Sequence, residues 1–153
     1  MTPGPVGPAD VAAAAALLAG VVHRTPVVDS RALSALAGGR VALKCENLQR
    51  AGSFKIRGAY VRMSRLAPAE AARGVVAASA GNHAQGVALA AQLLGVRSTV
   101  FMPVGAALPK VAATRGYGAE IRTAGATLDE ALVAARAWAD ETGAVLIHPY
   151  DHV

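Results

Sequence analysis

VVAASAGNHAQGVALAAQLLGVRSTVFM, residues 75–102, decides the fold. Val75 to Ala78 is a short apolar run that stops at a small polar turn, the mark of a buried strand. Asn82 to Leu94 has the length and composition of a helix, and Gly95 closes it. Ser98 to Met102 is a second apolar strand, ended by Pro103. The pattern repeats downstream. A helix is predicted from Leu108 to Arg115 and a strand over Gly118 to Arg122. A helix over Thr127 to Thr142 opens on a capping box, Thr127 with Glu130. Its apolar face is Leu128, Ala131, Leu132, Ala135 and Trp138. Gly143 ends it, and Ala144 to Ile147 is a last strand. Strands alternating with helices predict an α/β fold, a parallel four-stranded sheet covered by helices, over residues 68–150.

The turn after the first of these strands is Ser79-Ala80-Gly81-Asn82-His83. Sheets of this kind bind ligands beyond the carboxyl ends of their strands. Helix N-terminal amides hold anions, and a glycine lets a carboxylate or phosphate come close to the backbone. Such a junction is also routine without any ligand, and His83 by itself reads as a helix-start residue with no proton transfer assigned to it.

Upstream, residues 1–9 are rich in Pro and Gly and read as a loose arm. Asp10 is placed to cap an alanine helix that ends near Gly20. His23-Arg24-Thr25-Pro26 breaks it, and Val27-Val28 starts an extended piece. A short helix over 31–37 stops at Gly38-Gly39, and a strand follows over 41–45. Then comes KCENLQRAGSFKIRGAY, residues 44–60. Ser53 is the expected N-cap of a helix whose apolar positions are Phe54, Ile56, Ala59, Tyr60 and Met63. Lys55 therefore falls in a first turn. Lysines favour the opposite end of a helix. The positive N-terminal field favours a free amine over an ammonium, and a free amine is what attacks a carbonyl. A first-turn lysine can equally point into water.

ENLQ, GSFK and RGA in the central stretch, followed by SAGNHAQG, resemble the fold-type II pyridoxal-phosphate enzymes. The resemblance is nearest to the threonine dehydratases (threonine ammonia-lyases) and the serine racemases. Lys55 and Asn82 stand 27 residues apart, as in that family. The resemblance implies a tryptophan synthase beta-like architecture with pyridoxal 5'-phosphate as cofactor. Lys55 would carry the cofactor as a Schiff base, with Phe54 beside the pyridine ring. Asn82 would contact the ring hydroxyl. The turn of Ser79, Gly81, Asn82 and His83 would hold the carboxylate of an amino-acid substrate. The implied division is a partial cofactor lobe over 10–67 and a small parallel lobe over 68–150, with the C-terminal half of the cofactor lobe absent. Family members continue past His148-Pro149-Tyr150-Asp151 into a G-Q-G-T segment and a Gly-rich phosphate loop, which these 153 residues do not include.

Lys110 lies in a segment that departs from the family's A-P-x-x-K, with Ala107 in the proline position and Pro109 just before the lysine. It reads as a solvated helix-start lysine. Ala80 matters for the reaction. In the racemases of this resemblance the matching residue is a serine, whose hydroxyl can deliver a proton opposite Lys55, whereas an alanine methyl has none to give. The implied activity is therefore conversion of L-threonine or L-serine to a 2-oxo acid and ammonia. Racemisation is the alternative. A non-catalytic fragment is a third reading.

Composition agrees with this class. Hydrophobic residues make up 54% and charged residues 16%, which excludes a disordered chain. No apolar run reaches membrane length, and the N-terminus lacks the basic start and apolar core of a secretory signal. One cysteine, Cys45, allows no internal disulfide and suits a reducing, cytoplasmic location. One Cys and four scattered His predict no metal site. The net charge of +5 comes from arginines spread along the chain, so nucleic acid is not expected, and a basic cleft for an anionic cofactor is a better use of it. A homo-oligomer is expected for the full-length form.

Overall fold

The computed structural model describes residues 6–150. The regular part is a four-stranded parallel sheet of β3 (Val75–Ala78), β4 (Ser98–Met102), β5 (Glu120–Thr123) and β6 (Val145–Leu146), in the order β5-β4-β3-β6. Its strands are joined by α5 (Asn82–Leu94), α6 (Leu108–Gly116) and α7 (Leu128–Thr142). The sheet separates two helical layers, and the alternation of side chains along each strand assigns residues to them. Val76, Ala78 and Phe101 meet Ala131 and Ala135 of α7 on one side. Val75 and Ala77 meet α5 and α3 (Lys55–Ser64) on the other, and Val100 and Met102 meet α5 and α6.

Helix α3 shares this core. Ile56, Ala59 and Met63 are buried in one cluster with Val87, Leu89, Ala90 and Ile147. Full burial of a side chain such as Ile56 contributes about 1.5–3 kcal/mol. The helix preceding the sheet is thus seated by the same apolar contacts that hold α5. Gly86 lets the two helices approach: a Cβ built there would lie 3.0 Å from the Lys55 carbonyl carbon and 3.1 Å from the Ile56 nitrogen.

The N-terminal part comprises α1 (Pro8–Leu17), β1 (Val27–Asp29), α2 (Arg31–Ala37) and β2 (Ala42–Lys44), then two 3-10 turns, Glu46–Leu48 and Arg50–Gly52. β1 and β2 pair with each other, antiparallel, with Val28 opposite Leu43. Both strands are exposed along their length, Val27 at 62%. A short helix α4 (Pro68–Arg73) precedes β3.

Several local expectations are corrected. Asp10 is not the N-cap of α1. Pro8 takes the first helical position, where its missing N–H costs nothing, Gly7 is the cap, and Asp10 reaches back to accept from the Gly7 N–H at 2.9 Å. Of the expected arm, residues 1–5 lie outside the described residues, and Pro8 and Ala9 are helical. Helix α1 ends at Leu17 rather than Gly20. Phe54, not Ser53, is the cap residue of α3, although the Ser53 hydroxyl does accept from the Lys55 N–H at 3.4 Å. Phe54 is 58% exposed instead of packed on the helix's apolar face. Leu128, the first residue of α7, is 42% exposed, so packing on that face begins one turn later at Ala131.

Candidate functional site

The strand order contains one reversal. From β3 the chain steps outward to β4 and β5, then returns to place β6 on the other side of β3. A parallel sheet opens a crevice at the carboxyl ends of the two strands flanking such a reversal. Here those ends are Ser79–Gly81 after β3 and Ile147–Tyr150 after β6.

Three of the predicted residues meet in that crevice. A cavity of about 460 Å³ is lined by Phe54, Lys55 and His83 together with Arg62, His148 and Tyr150. Its size falls in the ~300–1,000 Å³ range of small-molecule sites. The Lys55 ammonium donates to the Pro149 carbonyl at 2.7 Å. It lies 5.3 Å from the Phe54 ring centroid and 5.0 Å from that of Tyr150, within cation–π range of both. Ser79, Gly81 and Asn82 stand at the rim of the crevice and do not line this cavity. The Ser79 hydroxyl accepts from the Gly81 N–H at 3.1 Å, which folds the turn back on itself before α5 begins.

His83 is buried, and its Nε2 lies 2.9 Å from the Ile147 carbonyl oxygen. Burial pushes its pKa below the ordinary value. The Lys55 and His148 charges push the same way, and the Ile147 carbonyl opposes them. A carbonyl can only accept, so Nε2 carries the proton. The ring therefore ties the start of α5 to the end of β6, and that proton is not free for chemistry.

The loop that delivers Lys55 is fixed from behind. Arg57 grips Glu46 with both Nε and Nη2 at 2.8 Å, and the Thr25 hydroxyl donates to the same carboxylate at 2.6 Å. The Arg57 guanidinium holds the Glu46 carboxyl down to about 2. Gln49, also buried, bonds both backbone groups of His23 at 2.8 Å. Arg50 donates to the Val21 carbonyl at 2.7 Å. The ENLQR segment thus fastens residues 21–25 to the first turn of α3.

Lys110 is the residue that sequence reasoning set aside. It is half-buried, and its Nζ donates to Asn82 Oδ1 at 3.3 Å. Its position just beyond the strand that follows α5 was the available signal. The contributions of Arg62 and of residues 147–150 to the cavity had no signal in the residues themselves.

The geometry defines a class: a three-layer α/β domain with a lysine amine presented into a cavity at the sheet's reversal point, beside a helix N-terminus. Residues 18–153 match the pyridoxal-phosphate dependent enzyme family, and the chain belongs to it. It is 51% identical to the L-threonine ammonia-lyase of Thermotoga maritima over 93% of this chain and 35% of that one. It is 50% identical to the L-threo-3-hydroxyaspartate ammonia-lyase of a Pseudomonas species, over 94% of this chain and 45% of that one. Among solved structures it is similar to maize serine racemase, with a TM-score of 0.85 and 40% identity over 92% of this chain and 43% of that one. The chain thus spans less than half the length of the relatives it matches. No helix among the described residues is long and apolar enough to cross a membrane.

Proposed function

We propose that this chain carries the lysine-bearing part of a pyridoxal-phosphate-dependent ammonia-lyase. Its substrate would be L-threonine or L-serine, and its products a 2-oxo acid and ammonia. The observation that carries the reading is Lys55 Nζ in the cavity at the sheet's reversal point, with Phe54 beside it. The residues present fit the cofactor. A primary amine meets its aldehyde, an aromatic ring flanks that amine, and the Asn82 carboxamide has its NH₂ end available to donate. Lys55 would anchor the cofactor, with Phe54 against its ring and Asn82 at its ring oxygen.

Pyridoxal phosphate supplies an electron sink for the charge that develops at the substrate's α-carbon. The chain's own residues supply the rest. The turn of Ser79, Gly81, Asn82 and His83 offers backbone amides at the N-terminus of α5, where a carboxylate is favoured. Neutral, tethered His83 contributes its place in that turn and moves no proton. Lys55 Nζ, once released, is the base that takes the α-proton on its own face. Ala80, half-buried between Ser79 and Gly81, offers no proton on the opposite face. Loss of the β-hydroxyl is then favoured over inversion of the α-carbon.

The division of the chain at about residue 67 into a partial cofactor lobe and a small lobe, a homo-oligomeric full-length form and a cytoplasmic location belong to the same proposal. The similarity to serine racemase keeps inversion as the second reading. With the cofactor-loaded full-length form, L-threonine and L-serine should give a 2-oxo acid and ammonia in equal amounts, with only traces of D-amino acid; these 153 residues alone should turn over nothing measurable. D-serine forming as fast as pyruvate would establish the second reading instead.

A further inference from the structure

The contact between Lys110 and Asn82 decides how the Asn82 amide is turned. A carboxamide can present either end to a ligand, and its oxygen and nitrogen have opposite hydrogen-bonding roles. The lysine ammonium has three donors and no acceptor, so the atom facing it at 3.3 Å is Oδ1. No group among the described residues accepts from Asn82 Nδ2. Asn82 is exposed, so its NH₂ end is left open to water or to a ligand.

Lys110 is itself held in place. It is the third residue of α6, its N–H donates to the Ala107 carbonyl at 2.9 Å, and its carbonyl accepts from the Thr114 hydroxyl at 2.8 Å. Val111 of α6 and Ala106 in the loop before it pack in one cluster with Ala84 and Ala88 of α5 and Val100 and Met102 of β4. The lysine stem thus rises from a seated helix toward the first residue of α5. The polar tip of this pair is exposed, so the contact adds little to stability. Its consequence is orientation.

We propose that Lys110 is a positioning residue that holds the Asn82 amide with Nδ2 toward the cofactor's ring oxygen. This rests on the assignment of Asn82 to the cofactor. Without the ammonium the amide loses its fixed sense, and its oxygen can turn toward an electron-rich acceptor that it would repel.

The test is an absorbance titration of the protein with pyridoxal phosphate, giving a dissociation constant and the bound absorbance maximum, with Tm measured alongside. Lys110→Met keeps the stem and removes the donor. It should weaken binding about 5-fold, the effect of one lost hydrogen bond, and shift the absorbance maximum, with Tm unchanged. Lys110→Arg should restore both. Asn82→Ala should weaken binding at least as much, and adding Lys110→Met to it should change nothing further. Lys110→Met that leaves affinity and absorbance as they were, while Asn82→Ala weakens both, overturns the role of Lys110 alone. Full additivity of the two changes overturns it as well, because the lysine would then act without Asn82. Asn82→Ala with no effect overturns the assignment of Asn82, and this inference with it.

Discussion

Replacing Gly86 by alanine should move Lys55, because the first turn of α3 rests directly on that glycine. The added methyl would lie 3.0 Å from the Lys55 carbonyl carbon, 3.1 Å from the Ile56 nitrogen and 3.1 Å from Lys55 Cβ. Carbon atoms settle at about 3.5–4.0 Å, so roughly half an ångström of separation must be found. Side-chain rotation cannot supply it, since two of the three atoms are backbone. Helix α3 cannot slide away cheaply either: Ile56 and Met63 are buried, and Arg57 is locked to Glu46. Overpacking of this kind costs about 1–3 kcal/mol. Alanine recovers up to about 1 kcal/mol through helix propensity. With the full ~1 kcal/mol recovered, the net loss is about 0–2 kcal/mol; its central value of ~1 kcal/mol is a fall in Tm of about 2–4 °C for a domain of this size. Thermal melts followed by circular dichroism measure it. Gly116→Ala is the control, because a Cβ there meets nothing within 4 Å, and its Tm should hold or rise slightly. If Gly86→Ala raises Tm in step with Gly116→Ala, the close approach of α3 to α5 is not as described.

Two further outcomes are expected. Ala80→Ser places a hydroxyl beside Ser79 in the turn and should raise the ratio of D-amino acid to 2-oxo acid among the products, read by chiral chromatography; an unchanged ratio would remove Ala80 as the reason for elimination. Stability should depend on pH through Glu46, whose folded carboxyl titrates at about 2 against an ordinary 4.5. That stabilisation is present above about 4.5 and is lost as pH falls toward 2, so Glu46→Gln should lower Tm at neutral pH and flatten its decline in acid. His83, depressed by burial, adds a loss of its own as pH falls below 6.5, because the unfolded chain takes up its proton first. A Glu46→Gln protein that keeps the wild-type acid slope would contradict the pairing with Arg57.

The sheet was legible because its strands are short apolar runs between helices with plain stop signals, Gly95 and Gly143 among them. The capping box at Thr127 and Glu130 forms as read, with the hydroxyl accepting from the Glu130 N–H at 3.2 Å. Helix starts were less legible around Gly7, Pro8 and Asp10, because an acidic residue at the third helical position, which reaches back to the cap residue's own N–H, has the same residue type as a cap. Of the candidate site, the words around Lys55 and Asn82 pointed to Phe54, Lys55 and His83, which line the cavity, and to Ser79, Gly81 and Asn82, which do not. The site's long-range contacts were not legible. His83 to Ile147, Lys55 to Pro149 and Lys110 to Asn82 join residues 28 to 94 positions apart, and no local preference encodes them. Gly86 shows the same limit: inside a helix it reads as a weak point, and only the neighbouring backbone reveals why no side chain fits there.

The central claim is that Lys55 is the anchor for pyridoxal phosphate, and the chain offers only three lysines, Lys44, Lys55 and Lys110. Borohydride reduction of the cofactor-loaded full-length form fixes the cofactor on whichever lysine holds it, and peptide mass spectrometry reads the position. One stoichiometric adduct on Lys55 is expected, lost in Lys55→Ala. An adduct on Lys44 or Lys110 with Lys55 unmodified would contradict it.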